Sequence, residues 1–220
     1  MLSYRSLLVF VRAILAGIMI GTGGSAMLAV NTQIIGPFMF SIGLMVIIQF
    51  GLKLYTGIVG YFMDPIDLKT LAVTFIGNFI GVFVVAEAAR YSCLPVADYA
   101  YQLVLAKSEM IMRLHLIDIF AMGCMCGMLM YIGVAVWKLP VASDIARCFI
   151  TILCVMTFIV CGFEHCIADM FYLLAARTND IPIGNQIAFI GIVTIGNSIG
   201  AMMFHCGHKM KLFKEIARNI

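Results

Sequence analysis

An acid and a histidine stand side by side at Glu164-His165, after Gly162-Phe163 and an apolar run from Cys148 to Cys161. Ionisable residues at the depth of a bilayer are costly, so they are functional candidates by default. A glycine at the end of an apolar run predicts a helix break, which is tolerated at this depth where it lines a cavity. Imidazole has an unperturbed pKa of about 6.5 and can exchange a proton near neutral pH. This pattern favours a pore for a small anion, with His165 at its centre and Glu164 beside it.

A lysine, Lys53, interrupts another apolar segment and lies between Gly51 and Gly57. A lysine that faces lipid is costly, so Lys53 is predicted to face a pore or to pair with an acid. The alternative is that its long side chain reaches the membrane surface.

The composition identifies the kind of chain that must position these residues. Of the 220 residues 63% are hydrophobic and 11% are charged, whereas a soluble domain has roughly 25% charged residues. An all-α polytopic membrane protein is therefore predicted, with 1–220 as a single transmembrane domain. Each span needs about 20 apolar residues. Six spans are predicted, of which the second and the fifth are broken: about 7–30, 35–60, 70–89, 114–137, 146–175 and 184–204.

The distribution of lysine and arginine predicts the orientation, because these residues concentrate in cytoplasmic segments. Six spans place both termini on one side. With cytoplasmic termini, nine basic residues lie inside: Arg5, Arg12, Lys69, Lys138, Arg147, Lys209, Lys211, Lys214 and Arg218. Four lie outside: Arg90, Lys107, Arg113 and Arg177. Cytoplasmic termini in a plasma (inner) membrane are therefore predicted. The net charge of +3 comes mostly from these flanks and does not indicate nucleic-acid binding.

Two motifs recur in the same order. Gly77-Asn78-Phe79-Ile80-Gly81 matches Gly196-Asn197-Ser198-Ile199-Gly200, and Gly51-Leu52-Lys53-Leu54 matches Gly162-Phe163-Glu164-His165. Three spans per half make the repeats, about 7–90 and 114–205, opposite in orientation. Interrupted segments at matching places in inverted repeats indicate a site at the membrane midplane. Asn78 and Asn197 are therefore placed on the candidate pathway, and Lys53 is predicted to lie close to Glu164.

The longest polar connection runs from Arg90 to Arg113 and contains Lys107. It is interpreted either as an ordinary extramembrane loop or as a basic vestibule that concentrates anions.

Catalytic and metal chemistry are not predicted. The eight cysteines are scattered through apolar runs, where cysteine behaves as a small buried hydrophobe. Cys124-x-Cys126 and His205-Cys206-Gly207-His208 lack the spacing of a zinc site. Neither a metal nor a cofactor is expected, and Glu164-His165 alone does not make an enzyme.

Several motifs together resemble those of the formate/nitrite transporter family. The stretch Gly162 to Met170 resembles its signature Gly-(Phe/Tyr)-Glu-His-Ser-x-Ala-Asn-Met, and Gly51 to Thr56 resembles Gly-Ala-(Glu/Asp)-Leu-Phe-Thr. Thr194-Ile195-Gly196-Asn197 and Ala135-Val136-Trp137 resemble further family motifs. The resemblance implies a homopentamer in a lipid bilayer, with an aquaporin-like pore in each protomer that passes a small anion with a proton.

The same resemblance implies individual roles. His165 would be the central histidine and Thr56 its partner. Phe40 and Leu44 would form the inner constriction, and Leu54, Tyr55 and Phe158 the outer one. The vestibule lysine of the family falls on Arg113, with Lys107 as the other candidate.

The sequence departs from the family pattern at four places: Lys53 replaces an acid, Leu129 and Asp169 replace asparagines, and Cys166 replaces a serine. Formate or nitrite is the expected class of substrate, and hydrosulfide or a short carboxylate such as lactate is the alternative. A neutral-solute pore is less favoured, because Asn78-Phe79-Ile80 and Asn197-Ser198-Ile199 are not the Asn-Pro-Ala boxes of aquaporins.

Overall fold

The structure is a computed structural model that describes residues 4–30, 32–62, 66–139 and 143–209. Every regular element in these ranges is helical. In chain order the α-helices are α1 (Tyr4–Val30), α2 (Ile35–Gln49), α3 (Tyr55–Ile58), α4 (Leu68–Tyr91), α5 (Val96–Ala106), α6 (Ser108–Arg113), α7 (Leu116–Ala135), α8 (Asp144–Val160), α9 (Cys166–Ala176) and α10 (Ile183–Lys209). Lys211, Lys214 and Arg218, used above to predict orientation, lie outside the described residues, as does the side chain of Arg5.

Four helices are long and apolar enough to cross a membrane: Ser6–Val30, Leu68–Tyr91, Leu116–Lys138 and Ile183–Lys209. They match the four predicted uninterrupted segments. Each remains apolar over at least four turns and carries few charges, so its backbone groups are satisfied within the helix and its surface suits lipid. The chain is a multi-pass membrane protein.

The predicted interruption of the other two segments is confirmed. Between α2 and α3 the chain turns at Gly51, and between α8 and α9 it turns at Gly162. Their φ angles are +62° and +70°, a conformation that glycine adopts at little cost. The backbone amide of the next residue closes each turn: Leu52 donates to the carbonyl of Ile47 and Phe163 donates to that of Phe158, each at 2.8 Å.

Glycines let α1 lie directly against α4, and α7 against α10. A Cβ on Gly17 would collide with the carbonyl of Asn78, and a Cβ on Gly127 would collide with the carbonyl of Asn197. Small residues at such crossings allow close helix packing in lipid. The contacts of the first half therefore recur in the second, as the matched glycine-asparagine motifs predict.

The connection from Arg90 to Arg113 is not an ordinary loop. It contains α5, whose Val96, Ala100 and Val104 are buried, and which packs against α9. Tyr101 of α5 donates a hydrogen bond of 2.8 Å to Asp180, in the turn before α10. This bond, with a second one from Thr178, lowers the pKa of the Asp180 carboxyl. The helix α5 is thereby fixed over the second break.

Candidate functional site

One asparagine holds each break in place, and the two do so in the same way. Asn78 Oδ1 accepts from the amide of Tyr55 at 2.8 Å, and its Nδ2 donates to the carbonyls of Lys53 and Ala13, both at 2.8 Å. These bonds tie the non-helical backbone of the first break to α1 and α4. They replace the hydrogen bonds that an uninterrupted helix would make.

The second asparagine repeats this pattern. Asn197 Oδ1 accepts from the amide of Cys166 at 3.0 Å, and its Nδ2 donates to the carbonyls of Glu164 and Gly123, both at 2.8 Å. Both asparagines are completely buried. They were placed on the candidate pathway from sequence, but all the side-chain hydrogen bonds described for them go to the backbone. They therefore position the site.

The second break places His165 in the interior, with 1% of its surface exposed. His165 is the N-cap of α9, and its Nδ1 accepts from the amide of Ala168 at 3.1 Å. Because an amide N–H can only donate, Nδ1 is unprotonated and the ring proton of the neutral imidazole is on Nε2. Nε2 lies 2.9 Å from Thr56 Oγ1 and donates to it. The structure thus brings together His165 and Thr56, the pair that the resemblance implied.

Aromatic side chains close one side of His165. The ring of Phe158 stacks on the imidazole at 5.6 Å, and Phe40 packs edge-on against Phe158 at 5.8 Å. Phe40 and Phe158, which were assigned to different constrictions, therefore lie side by side. The sequence gives their positions along α2 and α8 but not the directions in which the rings point.

The other predicted constriction residues lie elsewhere. Leu44 is buried on α2, one turn beyond Phe40. Leu54 is buried two residues before Thr56 and lines a large cavity at the first break. Tyr55 packs against Phe75 of α4, and its hydroxyl lies 2.9 Å from the hydroxyl of Ser198 on α10.

Lys107, at the C-terminal end of α5, holds the acid beside the histidine. Its Nζ donates to Glu164 at 2.5 Å and to Asp169 at 3.3 Å. Lys107, and not Lys53 as its predicted closeness suggested, is therefore the ion-pair partner of Glu164. The other vestibule candidate, Arg113, is largely exposed and pairs with Glu109 at 3.3 Å. Sequence reasoning noted Asp169 only as a departure from the family and missed it as a second partner of Lys107.

The carboxyl of Asp169 is only partly satisfied. Oδ1 faces Lys107, whereas Oδ2 is buried and has no hydrogen-bond partner among the described residues. One ammonium group therefore serves two buried carboxyl groups, and the unpartnered oxygen leaves part of their desolvation cost uncompensated.

Lys53 directly precedes Leu54 in the chain, and Thr56 follows Leu54 by two residues. Lys53 lines a cavity of about 930 Å³, together with Arg12, Lys69 and Lys138. Among the described residues no acid pairs with Lys53 within ion-pair distance. Of the predicted alternatives for Lys53, the described geometry supports exposure to a cavity over pairing with an acid.

Comparisons with known proteins add to this geometry. A sequence profile described as "Formate/nitrite transporter" matches residues 2–209. The chain belongs to the formate/nitrite transporter family. Its members are transporters and channels rather than enzymes.

Two curated relatives of this family member are similar over much of its length. Formate channel FocA of Haemophilus influenzae is 25% identical over 153 residues, which is 64% of this chain and 53% of the relative. The match thus spans about half the length of that channel. Uncharacterized transporter YrhG of Bacillus subtilis is 28% identical over 187 residues, which is 79% of this chain and 69% of the relative.

Solved structures share the fold of this family member. A pentameric formate channel with formate bound has a TM-score of 0.77 at 24% identity, and the match covers 97% of this chain and 99% of that one. An ion channel of the family has a TM-score of 0.76 at 22% identity, with 96% and 90% covered. At these identities the likeness concerns the fold alone.

Proposed function

We propose that this chain is a membrane channel or transporter for a small monovalent weak-acid anion of the formate or nitrite class. The observation that carries the proposal is the buried pair of His165 and Thr56 at a helix break, with Phe158 stacked on one face of the histidine. Family membership and the formate channels among the relatives support it.

The pair can stabilise an anion without a full positive charge. Nε2–H of His165 donates to Thr56 Oγ1, so the hydroxyl hydrogen of Thr56 is left to donate to an arriving anion. An ionised carboxylate in an apolar medium costs far more than one with hydrogen-bond donors. This relay offsets part of that cost where both side chains are buried.

A second proton on His165 has one place to go. Because Nε2 already carries a hydrogen, the added proton must bind Nδ1, which now accepts from the Ala168 amide. Protonation therefore requires His165 to leave its N-cap position, and it couples proton uptake to the first turn of α9. An anion protonated in this way would cross the apolar constrictions as a neutral acid.

We propose constrictions on the two sides of the pair that group the predicted residues differently. In this proposal Phe40 and Phe158 form one barrier and Leu54 forms the other. The cavity of about 930 Å³ with the basic lining lies next to Leu54. It contains Arg12, Lys69 and Lys138, which were predicted to be cytoplasmic, so this barrier faces the cytoplasm.

The arrangement in the membrane extends the same proposal. The chain crosses a plasma membrane six times as two inverted three-helix repeats, and both termini are cytoplasmic. The shared glycine and asparagine contacts of the two halves support the repeats. The likeness to a pentameric channel supports a homopentamer in which each protomer has its own pore.

Replacement of His165 by Asn tests the proposal, with Thr56→Val as a second variant that removes the donor hydroxyl at similar volume. Uptake of labelled formate and nitrite is measured in proteoliposomes at one acidic pH. We expect both variants to lose at least tenfold of the protein-dependent uptake, the scale expected when a hydrogen bond to a charged group of roughly 1.5–3 kcal/mol is lost. Unchanged uptake by both folded variants would overturn the proposal.

A further inference from the structure

The cavity of about 930 Å³ at the first break collects positive charge from four separate elements. Arg12 comes from α1, Lys53 from the break, Lys69 from the first turn of α4, and Lys138 from the 3₁₀ turn after α7. The described lining contains one acidic side chain, Asp67, which caps α4 by accepting from the amide of Thr70 at 2.8 Å. Four positive side chains against one negative leave an excess of three positive charges in this lining.

The surroundings do little to neutralise that excess. Within the part of the chain that the structure describes, none of the four basic side chains has an acid within ion-pair distance. Lys138 Nζ instead lies 3.7 Å from the centre of the Tyr61 ring, a contact that only partly compensates a charge. The N-terminus of α4 also faces the cavity and adds partial positive charge.

The cavity is much larger than the anion that is proposed to be transported. Its volume corresponds to about thirty water molecules at roughly 30 Å³ each, whereas formate has three heavy atoms. A single monovalent anion would leave most of the space and most of the charge unmatched. A ligand with two or more negative charges on separate groups fits both.

We propose that this cavity binds a multivalent anion that carries phosphate groups, with Lys53 as its central contact. Lysine is well suited to phosphate because its ammonium is a compact charge that needs no planar partner. Lys53 is the least exposed of the four basic residues and precedes Leu54 directly. A bound polyanion therefore lies over Leu54. The bound polyanion would block anion passage from this side, a consequence that rests on the proposed function.

The test uses inorganic pyrophosphate as the probe and the purified full-length chain in detergent, with binding measured by titration calorimetry. We expect saturable binding that weakens with salt, and that weakens about tenfold in Lys53→Gln, as for the loss of one nearby charge. Lys69→Gln is a second variant, on the exposed first turn of α4, in case Lys53→Gln does not fold. Arg113→Gln is the matched control, since Arg113 is an exposed cation outside the cavity lining.

Two outcomes would overturn the proposal: no saturable binding by the unmodified chain, or equal affinities in the Lys53, Lys69 and Arg113 variants. Phosphorus analysis of the purified protein separates the two sources of phosphate. Phospholipid that co-purifies and is displaced by pyrophosphate indicates a lipid headgroup, and its absence indicates a free phosphate compound.

A flux measurement then separates this inference from the proposed function. Pyrophosphate on one face of the proteoliposomes should reduce formate or nitrite uptake, and Lys53→Gln should need about tenfold more of it. Pyrophosphate that binds but leaves uptake unchanged would overturn the blocking role. If no anion is taken up under any condition, the proposed function fails while the binding result stands.

Discussion

The two helix breaks have nearly the same backbone and very different side chains. Gly51 and Gly162 turn the chain with similar positive φ angles, and Asn78 and Asn197 hold the following residues with equivalent sets of three hydrogen bonds. Yet Leu54 occupies the position that matches His165. At this position one break therefore carries a buried leucine, and the other an imidazole.

The charged residues at the two breaks differ in the same way. Lys53 and Glu164 occupy matching positions. Asn78 binds the backbone carbonyl of Lys53, and Asn197 binds that of Glu164, so neither asparagine contacts the charged group. Lys53 faces the open cavity, whereas Glu164 is buried against Lys107. The comparison teaches that glycine and asparagine specify the break, whereas the residues between them specify its chemistry.

The largest expected effect comes from removing the shared support. Asn78→Leu leaves the part-buried amide of Tyr55 and carbonyl of Lys53 without their partner, and Asn197→Leu does the same to the buried amide of Cys166 and carbonyl of Glu164. At roughly 1–3 kcal/mol for each unpaired group, either change should cost about 2–6 kcal/mol. Thermal unfolding in detergent measures both. Similar losses would support equivalent roles, and a loss at only one asparagine would break the comparison.

The next effect distinguishes Lys107, in its ion pairs, from Lys53, at the cavity. Lys107→Met leaves Glu164 and Asp169 buried without a cation, and should destabilise the protein by about 3–5 kcal/mol. Lys53→Met, at the cavity, should change stability by no more than roughly 0.5 kcal/mol. Denaturation midpoints of the two variants decide this. If Lys53→Met proved as harmful as Lys107→Met, the assignment of Lys53 to a solvated space would be wrong.

The two glycines should respond equally. Gly51→Ala and Gly162→Ala place a side chain at positive φ where no neighbour lies within 4 Å, so the cost is backbone strain alone, about 1–2 kcal/mol. Gly191→Ala on α10 is the matched control, because its added Cβ also meets nothing within 4 Å and its backbone is helical. Thermal scans should show losses at both breaks and none at the control. A loss of stability well above this strain at one break would show that a neighbouring group collides with the added methyl.

The smallest effect sharpens the account of the second break. Asp169→Asn keeps an acceptor for Lys107, replaces the unpartnered carboxylate oxygen with an amide group, and removes one of the two buried negative charges that share the Lys107 ammonium. The variant should be more stable by roughly 1 kcal/mol, the usual scale of one hydrogen-bonding group. Equilibrium unfolding tests this. A clear loss of stability would indicate that the second carboxyl is needed beside Lys107.

Much of the fold could be predicted from local patterns. The glycines at 51 and 162 and the matched motifs around Asn78 and Asn197 indicated both breaks and their equivalence. These signals are local: a glycine permits a backbone conformation, and a repeated motif implies a repeated contact. The pairing of Thr56 with His165 came from the family resemblance, because no local pattern links residues 109 positions apart.

The ion pairs and the directions of the side chains could not be predicted in the same way. Alignment of the halves placed Lys53 opposite Glu164, but it carried no information on side-chain direction or on the path of the connecting segment. The helix α5, which delivers Lys107, was interpreted as part of a loop or vestibule because charged residues flank it in the sequence. Val96, Ala100 and Val104 recur every four residues, and this helical spacing was the signal that could have found it.

The most direct test of the central claim is uptake of formate, nitrite, lactate and hydrosulfide in proteoliposomes across about pH 5 to 8, where histidine titrates. Protein-free liposomes and His165→Asn serve as controls for diffusion of the neutral acids. If protonated His165 passes the anion, protein-dependent uptake of at least one of the four should rise as the pH falls and be absent in His165→Asn. No protein-dependent uptake of any of them, or uptake that ignores both pH and His165, would contradict it.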